Sequence, residues 1–198
     1  MVHLIITTAN ITEAFGVRKQ QYVESIEAAL KYAAFFDTYT ILECFSEKEA
    51  YLDKYNTFYS REGNPYRDKG LNEMNHLRAF LEQSPLADDD SIIKLSGKYV
   101  IEEPYFFETL HQLHHEYDSM FKNDNDVYVG NGYHTFFYYM KKKLFLDAIG
   151  NIDFSVENNR PIEWDMKSFL MVKDRHIEID RLGLLARQGT NSEKIFRC

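Results

Sequence analysis

Short β-rich apolar runs alternate with amphipathic helical stretches from the first residues of this chain, and that alternation constrains its fold most. Val2–Thr8 is short, apolar and rich in β-branched residues, as a strand covered on both faces should be. Residues 13–36 follow with Val23, Ile26, Ala29, Leu30 and Ala33 on one helical face. Residues 38–45 read as a second strand. Ser46 and Glu49 then have the spacing of a capping box, which predicts a helix through Tyr55. Strands separated by helical segments predict an α/β fold with a mostly parallel sheet.

The rest of the chain continues the pattern. Residues 55–67 form a polar Gly- and Pro-containing loop with a short strand near 57–60. A helix starts at Gly70 and runs through Met74, Leu77, Phe80 and Leu81 until Pro85 and the acidic cluster Asp88-Asp89-Asp90. A strand containing Ile92 comes next, and Pro104 heads a helix over 105–117. Strands at 126–129 and 135–139 flank a Gly130-Asn131-Gly132 turn. Helices are predicted over 141–149 and 162–172, a strand over 176–185, and a polar tail from about 187. With no internal repeat or linker, the 198 residues read as a single domain.

Composition narrows the partners. A net charge of −8 and a pI near 5.4 argue against a nucleic-acid backbone as ligand. No apolar run approaches a membrane span, and the first residues read as a strand rather than a signal peptide, so a cytoplasmic location is expected. Cys44 and Cys198 make no disulfide framework. The 14 Tyr and 15 Phe predict a large aromatic core, with some tyrosines free to stack on sugars or bases.

The chemistry concentrates in Ser91-Ile92-Ile93-Lys94-Leu95-Ser96-Gly97-Lys98-Tyr99. Lysine is rarely buried without a partner, yet Lys94 alternates with Ile93 and Leu95 inside an apolar run. Where such a strand meets the open edge of an α/β sheet, ligands bind. Lys94, Ser96, Gly97 and Lys98 there suit a phosphate or a nucleotide sugar. Lys69-Gly70-Leu71-Asn72-Glu73 marks a helix start, whose free N–H groups and dipole favour an anion and add Lys69 and Gly70 to the same set.

The order Lys69-Gly70-Leu71-Asn72-Glu73, helix, acidic turn, Ile92-Ile93-Lys94-Leu95-Ser96-Gly97-Lys98-Tyr99 resembles small glycosyltransferases of the GT-A type, found in bacterial surface-polysaccharide loci and large viruses. Ile5-Ile6-Thr7-Thr8-Ala9-Asn10 with Arg18 and Ser25-Ile26 adds to the resemblance, as does Ile162-Glu163-Trp164-Asp165 with Asp180-Arg181-Leu182-Gly183. The resemblance implies a GT-A-like, Rossmann-like sheet flanked by helices. It also implies transfer of a sugar from a UDP- or GDP-linked donor to a hydroxyl of a glycan acceptor, in the cytoplasm or in a host's if the chain is viral. Thr7, Thr8 and Arg18 would then contact the nucleotide, and Glu163 or Asp165, at a helix start, would serve as general base. A catalytically silent nucleotide- or glycan-binding module of the same fold is the alternative.

Other residues admit two readings. Glu43 either pairs in the core or reaches the nucleotide base. Tyr133 and His134 either line an acceptor pocket or belong to an ordinary hairpin, and Trp164 offers its apolar face to a sugar ring. Many GT-A enzymes hold a divalent ion, manganese or magnesium, through an Asp-X-Asp motif at the strand end. Here Asp88-Asp89-Asp90 precedes the strand, so metal dependence is doubted and no cofactor is assigned. The same triplet with a metal would suit a phosphate-ester hydrolase. His111, His114 and His115 share a predicted helix, but no further ligand completes a zinc set.

Overall fold

The computed structural model describes residues 1–10, 15–123, 132–155, 160–187 and 195–197. In chain order the first half comprises β1 (Val2–Thr8), α1 (Phe15–Leu30), β2 (Thr38–Glu43), β3 (Thr57–Tyr59), α2 (Lys69–Gln83) and β4 (Ser91–Ser96). The second half has β5 (Val100–Ile101), α3 (Tyr105–Leu113), β6 (Ser119–Lys122), β7 (Phe137–Lys141), α4 (Lys142–Gly150) and α5 (Ile162–Leu170). It closes with β8 (His176–Ile179), β9 (Leu184–Arg187) and β10 (Ile195–Arg197).

Seven strands form a central sheet in the order β3-β2-β1-β4-β7-β6-β8. Its pairings are parallel except those of β7 with β4 and with β6, so β7 alone runs against the others. Successive strand residues face opposite sides, and both sides are covered. Leu4, Ile6, Ile41, Ile93, Leu95, Phe137 and Tyr139 pack in one layer with Ile26 and Ala29 of α1 and Phe106, Phe107 and Leu110 of α3. Ile5, Leu42, Ile92, Tyr138 and Met140 pack in the other with Leu71, Met74 and Leu77 of α2, Phe145 of α4 and Met166 of α5. Two covered faces explain why the strands read as apolar runs. Lys94 occupies a position of the second layer.

Several predicted boundaries move for identifiable reasons. The expected helix after Ser46 is only a 3₁₀ turn, Ala50–Leu52. The backbone N–H groups of Phe45 and Ser46 donate to the Glu43 carboxylate at 2.9 and 3.0 Å, which turns the chain away from a cap. The strand predicted over 176–185 is two strands in different sheets, divided at Gly183 with φ of +71°. A side chain there would be strained, and its Cβ would lie 2.9 Å from the Glu103 carbonyl oxygen. The tail is not wholly irregular, because β10 pairs with β9, and β9 with β5, in a small antiparallel sheet. Sequence reading missed β6, and the strand expected at 126–129 lies outside the described residues, as do Gly130, Asn131 and Cys198.

Helix α2 begins one residue before the predicted Gly70, behind a side-chain cap. Asp68 is that N-cap, its Oδ1 accepting the Leu71 N–H at 3.1 Å. Asp68→Ala is expected to lower stability by about 1 kcal/mol, read as a reduced urea midpoint with an unchanged m-value.

Candidate active site

A cleft of about 550 Å³ opens where β1 and β4 end, beside the entry to β7 and the N-termini of α2 and α5. This is the carboxyl edge of the parallel strands, where open α/β sheets bind ligands. The strand ends close tightly: the Gly97 N–H donates to the Thr7 carbonyl oxygen at 2.8 Å. A Cβ at Gly97 would sit 2.8 Å from that oxygen, so any side chain would push β1 and β4 apart. Gly70 is equally confined, against Ile162 at the start of α5.

Two cations face this cleft with no carboxylate bonded to them among the described residues. Arg18 lines it from α1 although only 6% of its surface is exposed, and its Nε has no hydrogen-bond partner among those residues. Lys98 is partly buried and makes no ion pair among the described residues. Burial first and the Arg18 charge second bring its pKa down to about 8. Lys69 lines the cleft as a third, exposed cation at the start of α2. The α2 backbone is less open to an anion than the sequence implied, because the Asp68 carboxylate already occupies that end. Thr7, Thr8, Ser96, Gly97 and Gly70 also line the cleft.

Lys94 requires a correction. It is fully buried and does not line the cleft. Its Nζ pairs with Glu73 Oε1 at 2.9 Å and donates to Ser96 Oγ at 2.6 Å and to the Thr135 carbonyl at 2.8 Å. All three ammonium protons are committed, so Lys94 organises the floor beneath the cleft that Lys98, Arg18 and Lys69 line. Glu73, which sequence reading did not single out, lines the cleft and also accepts a hydrogen bond from Thr7 Oγ1. Its signal was present: it stands four residues after Lys69, on the same helix face.

Of the two carboxylates at the start of α5, only Glu163 faces the cleft. It accepts the Thr135 hydroxyl at 2.9 Å. Its pKa lies above the ordinary glutamate value, chiefly through burial and further through the Asp68 charge. Asp165 does not line the cleft and is paired with Arg160 at 2.7 Å. Trp164 lies outside the cleft with 42% of its surface exposed. Nothing in the sequence marked Thr135, which the turn leading into β7 brings to the cleft.

Three further expectations are corrected by position. Tyr133 is fully buried, its hydroxyl bonded to His176 and donating to Glu178, both at 2.7 Å, and is no sugar platform. His134 packs its ring on Phe136, 4.7 Å between centroids, and does not line the cleft. Glu43 is fully buried and accepts from Thr8 Oγ1, from both the backbone and side-chain nitrogens of Asn10, and from the N–H groups of Phe45 and Ser46. It ties the β1 exit to the β2 exit and has no capacity left for a base.

The acidic triplet lies at the opposite end of the strands, where Asp90 pairs with the N-terminal amine at 2.9 Å. At the cleft end β4 continues into Ser96, Gly97 and Lys98, none a carboxylate. His114 Nδ1 donates to carbonyl oxygens of its own helix. Among the described residues, no group of three or more His, Cys, Asp or Glu is arranged to hold a metal.

No protein-family model matches the sequence, and no curated protein matches it. Solved structures do. A protein assigned as a glucose-1-phosphate thymidylyltransferase from Bacillus anthracis superposes with a TM-score of 0.60 at 10% identity, over 90% of this chain and 87% of that one. The 4-diphosphocytidyl-2C-methyl-D-erythritol synthase of Anaerococcus prevotii gives 0.55 at 13% identity, over 90% and 86%. A protein of Aquifex aeolicus VF5 gives 0.53 at 15%, over 90% and 86%. At such identities the likeness is one of fold, and the fold is the GT-A-like arrangement, a mostly parallel sheet flanked by helices. Among the described residues, no helix is long and apolar enough to cross a membrane.

Proposed function

We propose that this chain is a glycosyltransferase that moves a sugar from a nucleoside-diphosphate sugar, UDP- or GDP-linked, to a hydroxyl of a glycan acceptor. The observation that carries the reading is one cleft joining the cations Arg18, Lys98 and Lys69 to a half-buried carboxylate, Glu163, whose pKa burial raises. A buried guanidinium and a depressed lysine held together are costly unless an anion completes them. A diphosphate supplies that anion and gains charge as it leaves. The acceptor oxygen attacks the anomeric carbon, the bond from that carbon to the diphosphate oxygen breaks, and Glu163 takes the acceptor proton. Thr135 holds the carboxylate in place.

The depressed Lys98 gives a pH signature. Charged Lys98 binds the diphosphate and neutral Lys98 does not, so affinity is expected to fall as pH rises through about 8. Binding above that pH should take up a proton, which calorimetry in buffers of different ionisation enthalpy detects. Replacing Arg18 or Lys98 with Met should weaken diphosphate binding by roughly tenfold or more, the usual cost of a charge-assisted bond.

A second reading has its own support, since neighbours with the higher fold similarity are described as a thymidylyltransferase and a diphosphocytidyl-methylerythritol synthase. Nucleotidyl transfer would use the same cations on a triphosphate, but its phosphate nucleophile is already deprotonated and needs no base at Glu163. Offering the protein UDP-glucose or GDP-mannose with short glycans, and separately nucleoside triphosphates with sugar 1-phosphates, separates them. Nucleoside diphosphate release supports glycosyl transfer, pyrophosphate release supports nucleotidyl transfer, and binding without turnover supports a silent module. Repeating the assay with manganese and with a chelator tests metal dependence directly.

A further inference from the structure

Glu73 has a division of labour between its two oxygens. Every polar contact it makes among the described residues goes to Oε1, which pairs with Lys94 and accepts from Thr7 Oγ1 and, at 3.3 Å, Ser96 Oγ. Oε2 makes no hydrogen bond among the described residues, and the side chain keeps 23% of its surface exposed in the cleft wall. The carboxylate is thus fixed by elements α2, β1 and β4 together, with one oxygen turned out.

A carboxylate oxygen takes a hydrogen-bond donor or a positive charge, never another acceptor. A phosphate is repelled there, and in the reading above the cleft's side-chain cations are engaged: Lys94 by its three bonds, Arg18, Lys98 and Lys69 by the diphosphate. Of the groups on a nucleotide sugar, its hydroxyls remain. Their place is set by connectivity. Lys94 bonds both Glu73 and the Thr135 carbonyl, and the Thr135 hydroxyl bonds Glu163, so Glu73 lies next to the base. On its other side, the Glu73 charge is felt by Lys98. The group between the diphosphate and the base is the transferred sugar. Phe136 and Ile162, also in the cleft wall, supply apolar surface for its C–H faces.

We infer that Glu73 reads the donor sugar, with Oε2 accepting a hydrogen bond from one or two of its hydroxyls. Glu73 is therefore a specificity determinant, while Lys94 is the residue that positions it. This rests on the nucleotide-sugar reading above.

The test is calorimetry of the wild-type protein with UDP and GDP, with UDP-glucose and GDP-mannose, and with monodeoxy analogues of whichever sugar nucleotide binds. One monodeoxy analogue is expected to bind roughly ten- to hundredfold more weakly than its parent, as expected when a half-buried charged acceptor loses its donor. In Glu73→Gln the parent and that analogue should bind within about threefold of each other. If every monodeoxy analogue binds like its parent, the inference fails and the nucleotide-sugar reading stands. If neither nucleoside diphosphate binds at millimolar concentration, that reading fails and takes the inference with it. The analogue series needs no variant, so it decides the matter even if Glu73→Gln does not fold.

Discussion

Glu163→Gln is expected to reduce sugar transfer by about a hundredfold or more, the usual contribution of a positioned general base, while leaving nucleoside diphosphate affinity unchanged. The amide keeps the shape and can still accept the Thr135 hydroxyl, but it cannot take a full proton. Asp165→Asn should change transfer by no more than a few-fold, because Asp165 is engaged with Arg160 outside the cleft. The pH profile adds a second readout. A base works in its deprotonated form, and burial raises the Glu163 pKa, so activity should fall on acidification at a higher pH than for an ordinary glutamate. That acid limb should disappear in the residual activity of the Gln variant.

Stability should move the other way. A carboxylate whose folded pKa is raised binds more protons folded than unfolded, so it weakens the fold as pH rises from its ordinary value through the raised one. Glu163→Gln removes that cost and should be at least as stable as wild type at pH 7. Sugar transfer near wild type in the Gln variant would remove Glu163 as the base and point to a retaining mechanism, in which the leaving phosphate takes the acceptor proton.

The fold was legible because its signal is periodic and local. Apolar runs covered on both faces and helices with one apolar stripe can be recognised without knowing their partners, which is why β1, α1, β2, α2 and β4 fall close to their expected positions. What escaped was whatever depends on a distant partner. The Lys94 run reads as a cation at a sheet edge, but only the fold shows that Glu73, Ser96 and the Thr135 carbonyl surround its Nζ before any ligand arrives. Tyr133 reads as a loop aromatic until His176 and Glu178, over forty residues away, claim its hydroxyl. Asp165 and Glu163 are two residues apart in sequence, yet the helix turns one towards Arg160 and the other into the cleft. Gly97 reads from the sequence as a glycine for a ligand to approach; its close approach to Thr7 is visible only in the fold.

Lys94→Met is expected to be the most destabilising single change in the site, at roughly 3–5 kcal/mol, because it breaks a buried charge pair from one side. Methionine preserves much of the stem that packs in the second layer, near the Tyr138 ring. It leaves Glu73 Oε1 with hydroxyl donors only and the Thr135 carbonyl without its 2.8 Å partner. Against a typical stability of about 5–15 kcal/mol, that loss should bring the urea midpoint down sharply at constant m-value. The double variant Lys94→Met with Glu73→Gln should recover part of it, since a neutral amide does not strand a charge, and the double-mutant cycle then measures the coupling. Lys98→Met should behave in the opposite way. Burial and Arg18 disfavour its charge, so removing it leaves the fold as stable or more so, while diphosphate affinity drops. The two lysines stand four residues apart in one motif, and this contrast separates the one that holds the site together from the one that meets the ligand. A Lys94→Met midpoint equal to wild type would mean that the Glu73 carboxylate is held by Thr7 and Ser96 alone, and that Lys94 is free to serve the ligand after all.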